Sequence, residues 1–154
     1  MNTFKTIFIG SRGELSGTAD LGRALLRIFA GLALAFGHGL GKIPPSEGFI
    51  GGVTELGFPI AVFFAWASGL TEFVGGLLLA SGLFTRPASL LITINMAVAG
   101  FLRHADDPFS GKEKALLFLA VAVMYLLAGA GRYSLDALIR RRNRSSLIKP
   151  TRSA

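Results

Sequence analysis

Four long apolar stretches set the main constraint on what this chain can fold into. They cover about residues 21–40, 58–84, 87–102 and 115–131. A helix needs about 20 mainly apolar residues to cross the hydrocarbon core of a bilayer, and the four stretches approach or exceed that length. Glycine, proline and charged residues separate them. We therefore expect an all-α integral membrane protein, in which four helices form an up-down-up-down bundle with short connections.

The composition agrees with a membrane protein, since 51% of the residues are hydrophobic and 16% are charged. Soluble domains carry about 25% charged residues. The net charge of +7 comes without a basic patch interleaved with aromatic residues, so we expect contact with membrane lipids rather than nucleic acid. The chain has no cysteine, which excludes disulfides, thiolate metal sites and thiol exchange by the chain itself.

The distribution of basic residues predicts the orientation. Twelve of the 16 Lys and Arg residues lie in the N-terminal flank and first helical turns, the second connection and the C-terminal tail. The other four are Lys42, Arg103, Lys112 and Lys114. Short cytoplasmic flanks carry the excess of basic residues, so both termini are expected in the cytoplasm and the protein in the cell (inner) membrane. We divide the chain into a cytoplasmic lead-in (1–20), a transmembrane domain (21–138) and a basic cytoplasmic tail (139–154).

Glu72 is the most informative residue, because an ionised carboxylate near mid-membrane costs on the order of 3 kcal/mol or more. It is expected either to pair with a cation or to be neutral. Side chains lean toward the N-terminus of their own helix, so Glu72 and His38 on antiparallel helices should converge. Arg27 leans away and is the second choice of partner. The non-functional alternative is that Glu72 is a neutral, hydrogen-bonded packing residue.

A Glu72–His38 pair could relay protons or hydrogen-bond a polar headgroup such as a quinone carbonyl. Small and polar residues mark the inward faces of helices in lipid. The polar residues on those faces are further candidates for ligand contact: Arg27, Lys42, Asn95 and Tyr125.

A second polar group near the third connection contains His104, Asp106, Asp107 and Glu113. Its spacing matches no metal-ligand template, and Lys112 and Lys114 would repel a cation, so we predict no metal site. Glu113 is expected at the start of the fourth helix, where the helix dipole favours a carboxylate.

Several short motifs in order resemble the DoxX family of small bacterial and archaeal membrane proteins. They are HGLGK (38–42), Glu72 followed by GGLLL (75–79), SGLFTR (81–86), EKALL (113–117) and GRYSLD (131–136). The resemblance covers about residues 21–138 and implies four transmembrane helices. It places the polar positions of the family at His38, Lys42, Glu72, Arg86, Glu113, Arg132 and Asp136, with His104 in a less typical loop.

The resemblance implies a membrane subunit of a redox complex. Some members are linked to thiosulfate:quinone oxidoreductase, and others to membrane-associated oxidoreductase complexes in redox defence. The implied ligand is a quinone, with no covalently bound group, and the implied partner is a soluble or membrane redox protein. Two other functions stay open: a non-catalytic anchor that docks a soluble partner, and a small-molecule or proton pathway. The glycine-rich faces could also serve a homo-oligomer.

Overall fold

The computed structural model describes residues 17–147, and this part of the chain contains helices and no strand. Its six α-helices are α1 (Gly17–Leu34), α2 (Glu47–Glu55), α3 (Ala61–Ser81), α4 (Thr85–Val98), α5 (Phe109–Ala128) and α6 (Leu135–Leu147). A π-helical turn (Ala35–Gly39) and a 3-10 turn (Leu40–Lys42) continue α1. Another π-helical turn (Ala99–Arg103) continues α4. The all-α prediction is confirmed for these residues.

Three segments of the described chain are long and apolar enough to cross a membrane: Gly17–Lys42, Ala61–Ser81 and Thr85–Arg103. Helix α5 has a similar length of 20 residues. Its first two turns contain Lys112, Glu113 and Lys114, and because of these three adjacent charges it is not among the candidate spans. Large apolar side chains cover the outside of the four long helices, as at Phe29, Phe63, Ile94 and Leu117. This surface suits lipid rather than water.

Helices α2 and α6 lie where the sequence predicts a connection and a tail. Helix α2 begins after Ser46, whose hydroxyl accepts a hydrogen bond from the N–H of Phe49 at 3.2 Å, and it ends before Gly57 in a left-handed conformation. Such a hydroxyl cap is the usual start of a helix. The proposed boundary at 138/139 falls within α6. The lead-in up to residue 16 and the tail from residue 148 lie outside the described residues.

The long helices contact one another in sequence. Helix α1 packs against α3, α3 against α4, and α4 against α5, and α1 also meets α5. The core between them includes Leu34, Leu79, Ile92, Met96 and Tyr125. Each helix thus contributes an inward face, as its small and polar residues predict.

Helices α1 and α3 cross at two glycines. A Cβ atom on Gly31 would lie 2.5 Å from the carbonyl oxygen of Gly76, and one on Gly76 would lie 2.7 Å from the carbonyl oxygen of Gly31. Both distances are far below van der Waals contact, so the two backbones touch. Close packing of this kind replaces the hydrophobic drive that helices lack in lipid.

Gly31→Ala is therefore expected to lower the free energy of unfolding by about 1–3 kcal/mol, the usual cost of overpacking. Gly22→Ala, on the same helix with open space around the new methyl group, is the matched control. It should be neutral or stabilising by up to about 1 kcal/mol, because alanine is the better helix former. Denaturant titration in detergent micelles measures both, and equal effects of the two substitutions would contradict this close crossing.

Arginines hold the end of α5. Arg23 donates to the carbonyl oxygens of Ala128 and Gly129, each at 3.0 Å, and Arg86 donates to that of Leu127 at 3.0 Å. Arg27 is buried and donates to the carbonyl oxygens of Ala130 at 2.9 Å and Tyr133 at 2.8 Å. The last carbonyls of a helix have no partner within it, so Arg23 and Arg86 supply the missing donors, whereas Arg27 binds the segment that follows α5.

Asp136 closes the same end of the molecule. Its carboxylate accepts hydrogen bonds from the N–H groups of Phe84 at 2.9 Å and Thr85 at 3.0 Å, where α4 begins. An acidic side chain is favoured at this position by the free N–H groups and by the helix dipole. We call this region, with the arginines above, the Asp136 end. The opposite end, where α1 and α4 finish, is the Lys42 end.

Candidate ligand-binding site

Glu72 of α3 is the centre of a buried polar cluster. Its side chain is 2% exposed. The ammonium group of Lys42 donates hydrogen bonds to both carboxylate oxygens, with Nζ at 2.6 Å from Oε1 and 2.7 Å from Oε2. The amide of Asn95 on α4 donates to Oε1 at 3.0 Å. Three elements therefore meet at one carboxylate, and the expected cation beside Glu72 is present.

That cation is Lys42, whereas the sequence geometry favours His38. The expectation that His38 is the direct partner is wrong for a physical reason. The π-helical turn at Ala35–Gly39 uses more residues per turn than an α-helix, so it changes the direction of every side chain that follows. A Cβ on Gly69 would lie 3.0 Å from the carbonyl oxygen of Lys42, so this glycine lets the end of α1 approach α3 closely.

His38 nevertheless lies near the cluster. Its ring packs edge-to-face on Phe118 of α5, with ring centroids 5.5 Å apart, and it lines a cavity that Glu72 also lines. The second choice of partner, Arg27, is at the Asp136 end and binds the carbonyls described above. The candidate residues predicted from the sequence are thus divided between the two ends of the molecule.

Hydrogen-bonding capacity remains in the cluster. An ammonium group has three donors and a primary amide has two. Lys42 uses donors on both oxygens of Glu72, and Asn95 uses one on Oε1, which leaves one further donor on each residue. The ammonium group also lies 5.3 Å from the centroid of the Phe49 ring, in the range of a cation–π contact.

A cleft of about 590 Å³ opens on one side of this cluster, between α2, α3 and α4. Its wall is largely aromatic and aliphatic, and we call it the aromatic cleft. The lining residues that matter here are Phe49, Val53, Phe58, Phe64, Leu91 and Ile94. Its polar side chains are Lys42, Ser68, Thr71, Glu72, Asn95, Arg103 and His104. Apolar walls with a few convergent polar groups are typical of small-molecule sites of this volume.

A smaller cavity of about 240 Å³ lies on the other side, between α1, α4 and α5. We call it the histidine cavity, because His38 and His104 both line it. Lys42, Glu72, Ala99 and His104 line both spaces. The Lys42–Glu72 pair is therefore a common wall of the two.

Most of the remaining predicted residues lie away from the cluster. Tyr125 is fully buried and donates its hydroxyl to the carbonyl oxygen of Arg23 at the Asp136 end. Arg132 lies 3.7 Å from Asp20 at the same end. His104 pairs with Asp107, with Nδ1 at 2.6 Å from Oδ2, and Glu113 is exposed on α5. The structure thus brings together Lys42, Glu72 and Asn95, with His38 and His104 near them.

Two contributors to the site were not predicted from the sequence. Helix α2 supplies Phe49 and Val53 to the cleft, and Arg103 stands at its edge. The signal for α2 was available, since Ser46 follows two prolines and precedes Glu47, a pattern that starts helices. Asp20 was also missed; it is buried at the Asp136 end, 3.7 Å from Arg23 and from Arg132.

Comparison with known proteins gives relatives in two bacteria. The chain is 31% identical over 121 residues to a Bacillus subtilis protein named "Putative oxidoreductase CatD", covering 78% of this chain and 88% of the relative. It is 33% identical over 93 residues to an uncharacterized protein of Haemophilus influenzae, covering 56% of this chain and 66% of that protein. A second uncharacterized Haemophilus protein is 31% identical over 87 residues, 54% of each chain. No solved structure matches the chain.

The model of one protein family, DoxX, matches residues 22–105. This match spans more than half of the chain, from the first turns of α1 through Lys42, Glu72 and Asn95 to the end of α4. Together with the apolar helices, these findings establish that the chain is a membrane protein of the DoxX family.

Proposed function

We propose that this protein is a multi-pass membrane subunit of a quinone-linked oxidoreductase complex, and that its aromatic cleft binds the quinone headgroup. The observation that carries the proposal is a buried carboxylate, paired with Lys42 and Asn95, at the wall of an apolar cleft. Intramembrane ionisable groups are costly, and they usually mark functional sites.

The residues of the cleft suit a quinone. The volume of about 590 Å³ lies in the range of small-molecule pockets, and the rings of Phe49, Phe58 and Phe64 offer apolar faces to a flat ring. The donors left on Lys42 and Asn95 could each bind a carbonyl oxygen. A bound quinone would supply a redox couple that exchanges two electrons and two protons.

Each residue of the cluster has a distinct role in this proposal. Lys42 and Asn95 hold the headgroup by hydrogen bonds, and the apolar wall excludes bulk water. Glu72 holds Lys42 and Asn95 in place, since its two oxygens accept from both. A carboxylate at this point can also hold a proton at one of its oxygens, close to the headgroup.

We also propose that α5 is a fourth membrane span, so that α1, α3, α4 and α5 run up-down-up-down. Contacts among these four helices support this arrangement, as does the apolar run that follows Lys114. Both termini then lie in the cytoplasm, because most basic residues flank the Asp136 end. The membrane is the bacterial cell membrane.

The similarity to a protein named "Putative oxidoreductase CatD" supports a redox role. This chain has no cysteine, so thiol exchange must lie with another protein if the reaction requires it. A soluble or membrane-bound redox partner would then supply or remove the electrons that the quinone carries.

Quinone binding to the purified protein in lipid nanodiscs tests this function, with decylubiquinone and menadione as probes. Asn95→Leu should weaken binding about tenfold, the equivalent of one lost hydrogen bond of about 1.4 kcal/mol. Ser81→Ala, on an exposed residue at the far end of α3, is the matched control and should bind as the wild type does. Circular dichroism confirms that each variant keeps its helices. Failure of the wild type to bind either quinone would overturn the proposal and favour a non-catalytic anchoring subunit.

A further inference from the structure

The two spaces that meet at Glu72 have different surroundings. The histidine cavity reaches exposed backbone and side chains at the Lys42 end, namely Gly111 and Lys114 of α5. Its inner end is closed by the buried side chains of Leu34 and Met96. The cavity therefore runs from the polar end of the molecule into the core.

The exposed wall of the aromatic cleft lies on the flank of α4 rather than at the Lys42 end. Leu91 and Ile94 of α4 line the cleft, yet 54% and 55% of their surfaces are exposed on the apolar flank of the helix. In a bilayer this flank faces lipid. A lipophilic ligand could therefore enter the cleft sideways, without crossing the polar end.

We infer that Glu72 is reached from two phases, with a lipophilic ligand arriving from lipid through the aromatic cleft and protons arriving from water through the histidine cavity. The ligand part of this inference rests on the proposed function. The proton part rests on geometry alone, because both spaces share Glu72 as a wall. This cavity of about 240 Å³ has room for several water molecules, and five polar side chains in its wall can bind them: His38, Lys42, Glu72, His104 and Lys114.

His38 and His104 are the relay groups of the proton route. A neutral imidazole accepts a proton on one ring nitrogen and releases another from the second, so each transfer leaves the ring unchanged in charge. The proton ends on an oxygen of Glu72. The charged and titratable groups that face this carboxylate are His38 and Lys42 from the α1 segment, Arg103 and His104 from the end of α4, and Lys114 from α5. Asp107 is bound to the relay residue His104, with Oδ2 at 2.6 Å from Nδ1.

Two lysines lie along the proton route at different depths. Lys42 is bound to Glu72, whereas Lys114 is exposed at the outer part of the histidine cavity. A proton on Glu72 weakens its attraction to Lys42, so that the ammonium group can turn more of its donors toward a ligand in the cleft. Proton arrival on one side and ligand binding on the other are therefore coupled through one ion pair.

Cysteine accessibility tests the water route directly, because the natural chain has no cysteine. Ala115 lines the histidine cavity, whereas Leu117 on the same helix is 60% exposed on the apolar surface. A charged methanethiosulfonate reagent reacts with thiolates in water, so Ala115→Cys should be modified at least about tenfold faster than Leu117→Cys. A nitroxide on Ile94→Cys should collide more with dissolved oxygen than with a water-soluble nickel complex, as expected in lipid.

Sidedness of proton access is measured with dicyclohexylcarbodiimide, which modifies protonated carboxyl groups in apolar surroundings. In proteoliposomes with a pH difference across the membrane, modification of Glu72, located by mass spectrometry, should follow the pH on the side of His104. His38→Phe with His104→Phe should slow its response to a pH jump on that side. Equal modification of the two cysteine variants, or a response to the opposite side, would overturn the inference. Neither result depends on quinone binding, so the proposed function can fail separately.

Discussion

Lys42→Met is expected to lower the free energy of unfolding by about 3 kcal/mol, because it leaves the carboxylate of Glu72 buried without its cation. Removing one partner of a buried ion pair costs about 3–5 kcal/mol, since the remaining charge is still desolvated. The lower end of that range applies here, because the side chain of Lys42 is 32% exposed and water can reach this side of the pair.

The double variant Lys42→Met with Glu72→Gln distinguishes charge from packing. It removes both charges and keeps most of the volume, so it should recover most of the stability that the single variant loses. Lys112→Met is the matched control, because the ammonium group of Lys112 binds an exposed carbonyl oxygen, that of Ala105. Its effect should stay within about 0.5 kcal/mol. Denaturant titration in detergent measures all three, and a double variant no more stable than Lys42→Met would show that the ion pair is not the cause.

Arg27→Met is expected to have an effect of similar size at the other end of the molecule. The buried guanidinium binds the carbonyl oxygens of Ala130 and Tyr133, and both would lose a charged donor. Hydrogen bonds to charged groups contribute about 1.5–3 kcal/mol each, so the loss of two gives about 3–6 kcal/mol.

Arg27→Lys provides a graded comparison, because one ammonium group cannot reproduce the fork of a guanidinium. It should lose about half as much stability as Arg27→Met, since it can keep about one of the two bonds. Glu55→Gln, at an exposed position on α2, should change stability by no more than about 0.5 kcal/mol. The same denaturant titration applies, and an intact Arg27→Met protein would contradict a structural role for this cluster.

The sequence predicts the helices of this protein better than their ends. Apolar length predicts α1, α3, α4 and α5 as helices. Local backbone geometry sets the ends instead. Helix α3 starts after Ile60 and α4 after Phe84, two non-glycine residues with left-handed backbones that composition does not reveal. Helix α2 is only nine residues long, too short for a hydropathy pattern to distinguish from a loop.

Part of the candidate site could also be predicted from the sequence. A carboxylate in the middle of an apolar helix needs a partner, so Glu72 could be identified without a structure. Whether His38 or Lys42 pairs with Glu72 could not be predicted, because the answer depends on the π-helical turn Ala35–Gly39. This turn contains His38 and comes before Lys42, so it changes the direction of both side chains. Arg27 and Tyr125 lie on inward faces as predicted, but inward position alone does not distinguish the two ends of the molecule.

Mass spectrometry of small molecules bound to the protein, gently purified from its native membrane, tests the quinone site at Glu72. We expect a quinone in about equal amount to the wild-type protein, and its loss from the folded double variant Lys42→Met with Glu72→Gln. Ser81→Ala should retain it. Wild-type protein without a quinone, or a double variant that retains the same amount, would contradict a quinone site at Glu72.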